Sequence, residues 1–239
     1  MLGARINVGK KSKDEAEKPF WISFADLMTA LMVLFLLVMS VALLAVTKTV
    51  SEQEKRQKNR SEAIEAINKR ILILVKNYPG VTYDSDRNVI DFGDRARFDY
   101  KSSNLNELQS IELRNFVSDV VLNVMKMEAA EEWLKRIVVE GFTDKRGTYL
   151  YNLNLSLERS QRVICALLAD SDNDASNLSQ SAKEQVRDLF FVGGYSFNSA
   201  KSSDEESRRI ELRLEFYGLD EGKQSKTVQH SDTFGVCSL

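Results

Sequence analysis

The sequence is poor in the residues on which most enzyme sites are built. It has one histidine, His230, in a polar C-terminal stretch. A lone imidazole there removes Ser-His-Asp and Cys-His catalysis and multi-histidine metal sites. Its two cysteines, Cys165 and Cys237, are too few for a disulfide framework. Cys165 lies in the apolar helical run VICALL and reads as a small core residue, whereas Cys237 lies in the polar tail. The two are expected to stay unpaired, with a bridge in an oxidising compartment as the minor alternative. No GxxxxGK[ST] phosphate loop is present, so no nucleotide engine is expected. Net charge is -2, and bases are scattered among acids rather than gathered on one stripe. That excludes a general nucleic-acid binder. With no nucleophile–base pair and no metal set, neither an enzyme nor a cofactor is expected.

Proline is scarce too: the two residues are Pro19 and Pro79. Between them the chain first reads FWISFADLMTALMVLFLLVMSVALLAV, residues 20–46, unbroken by Pro or Gly. As a helix this run rises about 40 Å, more than the roughly 30 Å of a bilayer core. It is too long for the apolar region of a signal peptide. A single transmembrane helix is expected over 20–46, after a short tail at 1–19. Pro19 and Ser23 suit its start. Basic residues do not fix its orientation: Arg5, Lys10, Lys11, Lys13 and Lys18 on one flank match Lys48, Lys55, Arg56, Lys58 and Arg60 on the other.

Residues 47–79 are polar, without Gly or Pro until Pro79, and predict a helical linker. Ile64, Ile67, Ile71 and Leu74 follow a 3-4-3 spacing that serves either a short paired seam or docking on the next domain. From Val81 the pattern is mixed. VTYDSDRNVIDF alternates as one or two strands, LNELQSIELRNFVSDVVLNVMKM is helical, and RIVVEGF is a short buried strand. LNLSLERSQRVICALLAD is a second helix, followed by the polar insertion SDNDASNLSQSAKE. DLFFVGGY and RRIELRLEFYG are closing strands. The order is βαβαββ over 80–218, an α+β domain with a small mixed sheet. Residues 219–239 read as a flexible tail.

The stretch GFTDKRGTYLYNLNLSLERSQRV, residues 141–163, carries the clearest signature. Thr143, Asp144, Gly147, Asn152, Leu155, Ser156 and Arg159 fall at the offsets of the OmpA-like peptidoglycan-binding family, and RRIELRLEF resembles that family's closing strand. The resemblance spans roughly 81–217. It implies a site for the diaminopimelate end of cell-wall peptides. Asp144 would accept from the ammonium and Arg159 would hold the carboxylate with a fork of donors. Asn152 would cap the helix or donate to the ligand, and Tyr151 and Leu155 would wall the pocket. An ordinary Asp144–Arg159 ion pair is the alternative. The sequence departs from the family in the polar insertion and in Phe142, where His is frequent.

The apolar run holds one acid, Asp26. A charged Asp at a helix centre costs about 2.5–3.5 kcal/mol on insertion scales, a cost that holding a proton removes. Ser23, Thr29, Ala30, Val33 and Ser40 share its helical face, a stripe suited to another protein helix. Asp26 reads as an interfacial snorkeller, a static anchor or a cycling proton site. FADLMTALMVLFLLVM resembles the transmembrane segment of the MotB stator family, whose Asp binds the translocated proton. The short chain and charged linker, with EAEKPFWISFADLMTALMVLFLL, look closer to the MotB-like subunits of Zorya anti-phage systems. That resemblance implies a MotA-like partner, ZorA, with five copies around a dimer of this chain. It also implies peptidoglycan anchoring from the inner membrane, a cytoplasmic N-terminus, a periplasmic C-terminal domain, and cytoplasmic effectors downstream. A flagellar stator and a passive wall anchor remain as alternatives.

Overall fold

The computed structural model describes residues 14–170, 177–221, 234–235 and 237, with 14–20 as backbone only. His230, residues 1–13 and most of the tail lie outside that set. The chain divides into two compact units, Met1–Arg56 and Gln57–Leu239.

The first unit is the opening part of α1 (Asp14–Val75). The described residues are helical from Asp14 on, so Pro19 falls inside the helix rather than at its start. Side chains over 21–50 are all exposed. This is one helix long and apolar enough to cross a membrane, with a mean hydropathy of 2.8 in its apolar window. Two hydroxyls of the polar stripe are satisfied within the helix. Thr29 Oγ1 donates to the Ala25 carbonyl and Ser40 Oγ to that of Leu36, each at 2.7 Å.

The second unit takes the remainder of α1 into its core. Ile67 and Ile71 are buried together with Val75 among the residues of the sheet and helices. The 3-4-3 spacing is therefore the docking stripe of a helix on its own domain. Arg60 Nε fastens the same stretch to the Tyr217 carbonyl at 2.8 Å.

Among the described residues five strands follow: β1 (Thr82–Asp84), β2 (Val89–Asp91), β3 (Leu134–Gly141), β4 (Phe190–Gly194) and β5 (Ile210–Phe216). Their order in the sheet is β1-β2-β5-β3-β4. Only β3 and β4 run parallel; the other pairs are antiparallel. The stretch VTYDSDRNVIDF is thus a hairpin of two strands, turned at Asn88 with φ +54°. Helix α2 (Glu107–Phe116) continues through a wider turn at Val117–Val121 into α3 (Leu122–Met125), and α4 (Glu128–Trp133) leads into β3. Helix α5 (Tyr149–Leu168) and α6 (Gln180–Leu189) carry the chain from β3 to its parallel neighbour β4. The second half of the polar insertion is therefore helical, started by Ser179, whose side chain accepts from the Ala182 N–H. A short α7 (Asp204–Ser207) precedes β5. This is the mixed α/β architecture expected.

Residues alternate along β5 between two environments. Ile210, Leu212 and Leu214 enter the hydrophobic core beneath the helices. Glu211 and Arg213 face the other side, where buried Glu140 accepts from Arg213 Nε at 2.6 Å and Nη2 at 2.9 Å. Buried carboxylates of this kind persist because they are paired.

One expectation is overturned here. Cys165 and Cys237 form a disulfide across a sequence separation of 72. Cys165 sits on a half-buried flank of α5 rather than deep in the core, which leaves its sulfur within reach of the tail. The end of the chain is thereby tied to the domain, and Phe234 lies against Arg187 of α6.

Candidate functional site

The site forms where β3 ends and α5 begins. Gly141 closes β3 opposite Gly194 of β4. A Cβ on Gly141 would lie 1.9 Å from the Ser156 carbonyl oxygen, and one on Gly194 would lie 2.7 Å from Ser156 Oγ. Two glycines thus let the first half of α5 rest directly on the strand ends. Ser156 Oγ, fully buried, accepts from the Ser196 N–H at 3.1 Å. Between strand and helix, the loop turns at Gly147 with φ +98°. Thr148 caps α5, its side chain accepting from the Tyr151 N–H. Asn152 does not cap; its Nδ2 donates 2.8 Å to the Arg146 carbonyl and closes the loop from inside.

The loop holds Asp144 at 4% exposure. Its Oδ1 accepts from the Arg146 backbone N–H at 3.0 Å and its Oδ2 from Arg208 Nη1 at 3.2 Å. Arg208 Nε donates to the Phe98 carbonyl at 3.0 Å. The acid expected at the site is therefore buried and paired with an arginine that comes from the end of α7.

Arg159 is 1% exposed and lies on the buried face of α5. It donates from Nε to the Ser102 carbonyl at 2.9 Å, from Nη1 to Phe142 at 2.6 Å and from Nη2 to Asp99 at 3.2 Å. Its guanidinium also lies 4.9 Å from the centre of the Phe98 ring. A guanidinium has five N–H groups, so one on each Nη is left over. No hydrogen bond or ion pair joins Asp144 to Arg159 among the described residues. The ordinary ion pair between them is thus absent. Burial pushes the Arg159 pKa down to about 10, with the Asp144 charge opposing and the Arg208 charge reinforcing the shift. A buried cation without a contacting anion is an incomplete arrangement that a carboxylate would complete.

The rim is aromatic and basic. Tyr151 is exposed, whereas Leu155, one turn further along α5, is buried. Arg146 pairs with Asp204 at 2.6 Å and stands 5.4 Å from the Tyr100 ring centre. Phe142 is buried, stacked on Tyr195 at 5.3 Å and covered by Arg209 at 4.2 Å. Thr143 Oγ1 is buried with no hydrogen-bond partner among the described residues.

Of the predicted residues, the structure brings Asp144, Tyr151, Asn152, Leu155 and Arg159 to one end of the domain. Sequence reasoning missed Arg208, although the RR doublet ahead of β5 had flagged its neighbourhood. It also missed the 98–102 segment, whose signal is absent because it contributes backbone carbonyls.

In the first unit, Asp26 is exposed and has no hydrogen-bond or ion-pair partner among the described residues. Ser23, Thr29, Ala30, Val33 and Ser40 fall on its helical face.

Comparison with known proteins places both units. Residues 6–60 match the family described as membrane MotB of proton-channel complex MotA/MotB. The Zorya protein ZorB of Escherichia coli O139:H28 (strain E24377A / ETEC) is 45% identical over 220 residues, 92% of this chain and 89% of that protein. Among solved structures, the cell wall anchor of the Pseudomonas aeruginosa T6SS matches 62% of this chain and 96% of its own at 18% identity, TM-score 0.40. The periplasmic domain of Helicobacter pylori MotB matches 55% of this chain and 78% of its own at 14% identity, TM-score 0.38. By its identity and its coverage of the Escherichia coli protein, the chain belongs to the ZorB family.

Proposed function

We propose that this chain is a peptidoglycan-anchored, stator-type subunit of a proton-driven inner-membrane motor in anti-phage defence. The observation that carries the reading is the match of residues 6–60 to the MotB proton-channel family, across the apolar stretch that contains Asp26. An acid with no partner among the described residues, on a helix fit for lipid, needs either a proton or a neighbour. The partner is a MotA-like ring of five ZorA subunits around two copies of this chain. The stripe of Ser23, Thr29, Ala30, Val33 and Ser40 lets its helices pack beside Asp26. Each Asp26 takes a proton from the periplasmic side and releases it to the cytoplasm. One charge crossing 100 mV supplies about 2.3 kcal/mol, enough to bias a rotational step.

The second unit holds the stator still. Asp144 takes the ammonium and Arg159 the carboxylate of a diaminopimelate end in peptidoglycan, with Tyr151 at the rim, Leu155 in the wall and Asn152 bracing the loop. Peptidoglycan lies outside the inner membrane, so residues 47–239 are periplasmic and 1–19 cytoplasmic. The Cys165–Cys237 disulfide suits an oxidising compartment. Cytoplasmic effectors act downstream of the motor.

The test is Asp26→Asn, which keeps the side-chain shape and cannot cycle a proton. Cells carrying the complete system with this variant should assemble the complex and lose phage protection. Undiminished protection would refute the proton-carrier role. The same MotB match admits a flagellar stator, which would restore swimming to a strain lacking MotB.

A further inference from the structure

The charges at the Asp144 site do not balance. Arg159 and Arg208 bring two positive charges, and Asp144 is the single carboxylate paired with either guanidinium among the described residues. Arg146, at the rim, has its own acid in Asp204. The Arg208–Asp144 contact is also loose. One Nη1 reaches one carboxylate oxygen at 3.2 Å, longer than the usual 2.7–2.9 Å of a charge-assisted bond and without the second arm of a bidentate pair. Arg208 Nη2 makes no hydrogen bond among the described residues. The guanidinium is therefore tethered at Phe98 through Nε and free to exchange its other partner.

We propose that Arg208 is a second ligand-binding guanidinium, and the residue that makes the site select a zwitterionic end over a simple amine. This rests on the reading that Asp144 takes an ammonium and Arg159 a carboxylate. An ammonium arriving at Asp144 Oδ2 displaces Arg208 Nη1. If the ligand also carries a carboxylate, the released guanidinium turns to it beside Arg159, so the ammonium keeps Asp144 and the two guanidiniums share the second anion. If the ligand is an amine alone, the buried Arg159 guanidinium and that of Arg208, whose side chain is 14% exposed, are left with one carboxylate that a third cation now occupies. Leaving a buried charge without its partner is strongly unfavourable, so the amine is rejected by what it fails to supply. In the empty site, Arg208 keeps the carboxylate of Asp144 satisfied.

The experiment is calorimetric titration of the full chain in detergent with meso-diaminopimelate and with cadaverine, which has the same five-carbon diamine spacing and no carboxylate. Wild type should prefer diaminopimelate at least tenfold. Arg208→Gln should lose at least tenfold of that preference, with diaminopimelate weaker and cadaverine tighter because Asp144 is left open. If Arg208→Gln unfolds early, Arg208→Lys replaces it. Lysine keeps a cation on Asp144 but has no fork, so cadaverine should stay weak while diaminopimelate weakens. Wild type that prefers diaminopimelate, with the preference unchanged in whichever variant folds, would overturn the role of Arg208 and leave the Asp144–Arg159 reading standing. Wild type that binds both ligands equally, or neither, would overturn both.

Discussion

Arg208 Nη1 stands 3.2 Å from Asp144 Oδ2, while Arg159 spends its donors on the carbonyls of Asp99, Ser102 and Phe142. The two residues that the motif sets 15 positions apart thus have separate resident partners. Asp144 is paired with Arg208 through a single donor. Arg159 is a buried cation that also pins the 98–102 segment to the start of α5.

This division of labour separates two substitutions. Asp144→Asn removes the charge with little change of shape, so sedimentation with purified peptidoglycan should fall at least tenfold while the fold persists. Arg159→Lys loses the fork that spans three carbonyls and should cost about 2–4 kcal/mol of stability as well as binding. Equal pelleting of Asp144→Asn and wild type would return the acid to a structural role.

Gly141→Ala tests the seat of α5. The new Cβ would meet the Ser156 carbonyl oxygen at 1.9 Å, a backbone atom that cannot swing aside. The helix must lift from the strand end, with a loss of at least about 3 kcal/mol. Thermal unfolding of the variant should drop well below wild type, and peptidoglycan pelleting should fall with it. An unchanged unfolding temperature would contradict the packing described.

Ile67→Ala separates docking from pairing. Ile67 is fully buried inside its own domain, and truncating it should lower domain stability by about 2–5 kcal/mol. A dimer seam would instead respond with a change in oligomeric state at constant unfolding temperature. Calorimetry and sedimentation velocity on the same sample distinguish the two.

Cys237→Ser opens the covalent loop from α5 to the chain end. Closing a loop of that size restricts the unfolded chain, and its loss should cost about 2–4 kcal/mol. Wild type treated with reductant should unfold at the temperature of the variant. Insensitivity to reductant, with free thiols detected in the native protein, would contradict the bridge.

Much of this was legible in the sequence because it is periodic or local. The apolar run shows as a helix since nothing between Pro19 and Pro79 breaks it, and β5 shows in the alternation of IELRLEF. The stretch from Thr143 to Arg159, a loop and the first half of α5, shows because several residues have a fixed job: Gly147 turns the chain, and Ser156 meets the two glycines. What stayed hidden is tertiary. The Ile67–Ile71 stripe has the same spacing whether it meets a copy of itself or its own sheet. Cys237 lacks any pattern around it, and only the folded chain shows its approach to Cys165. Arg208 reaches Asp144 across 64 residues of sequence. The helix at 180–189 was masked by its polar composition, which suits an exposed face over the buried Ala182 and Val186.

The measurement that bears most directly on the proposed motor is proton flux through vesicles holding this chain with the proposed MotA-like partner. Under an imposed proton gradient, wild-type complexes should acidify the lumen of the vesicles, and complexes with Asp26→Asn should assemble equally and conduct nothing. Equal flux through the two would contradict a proton carried on Asp26.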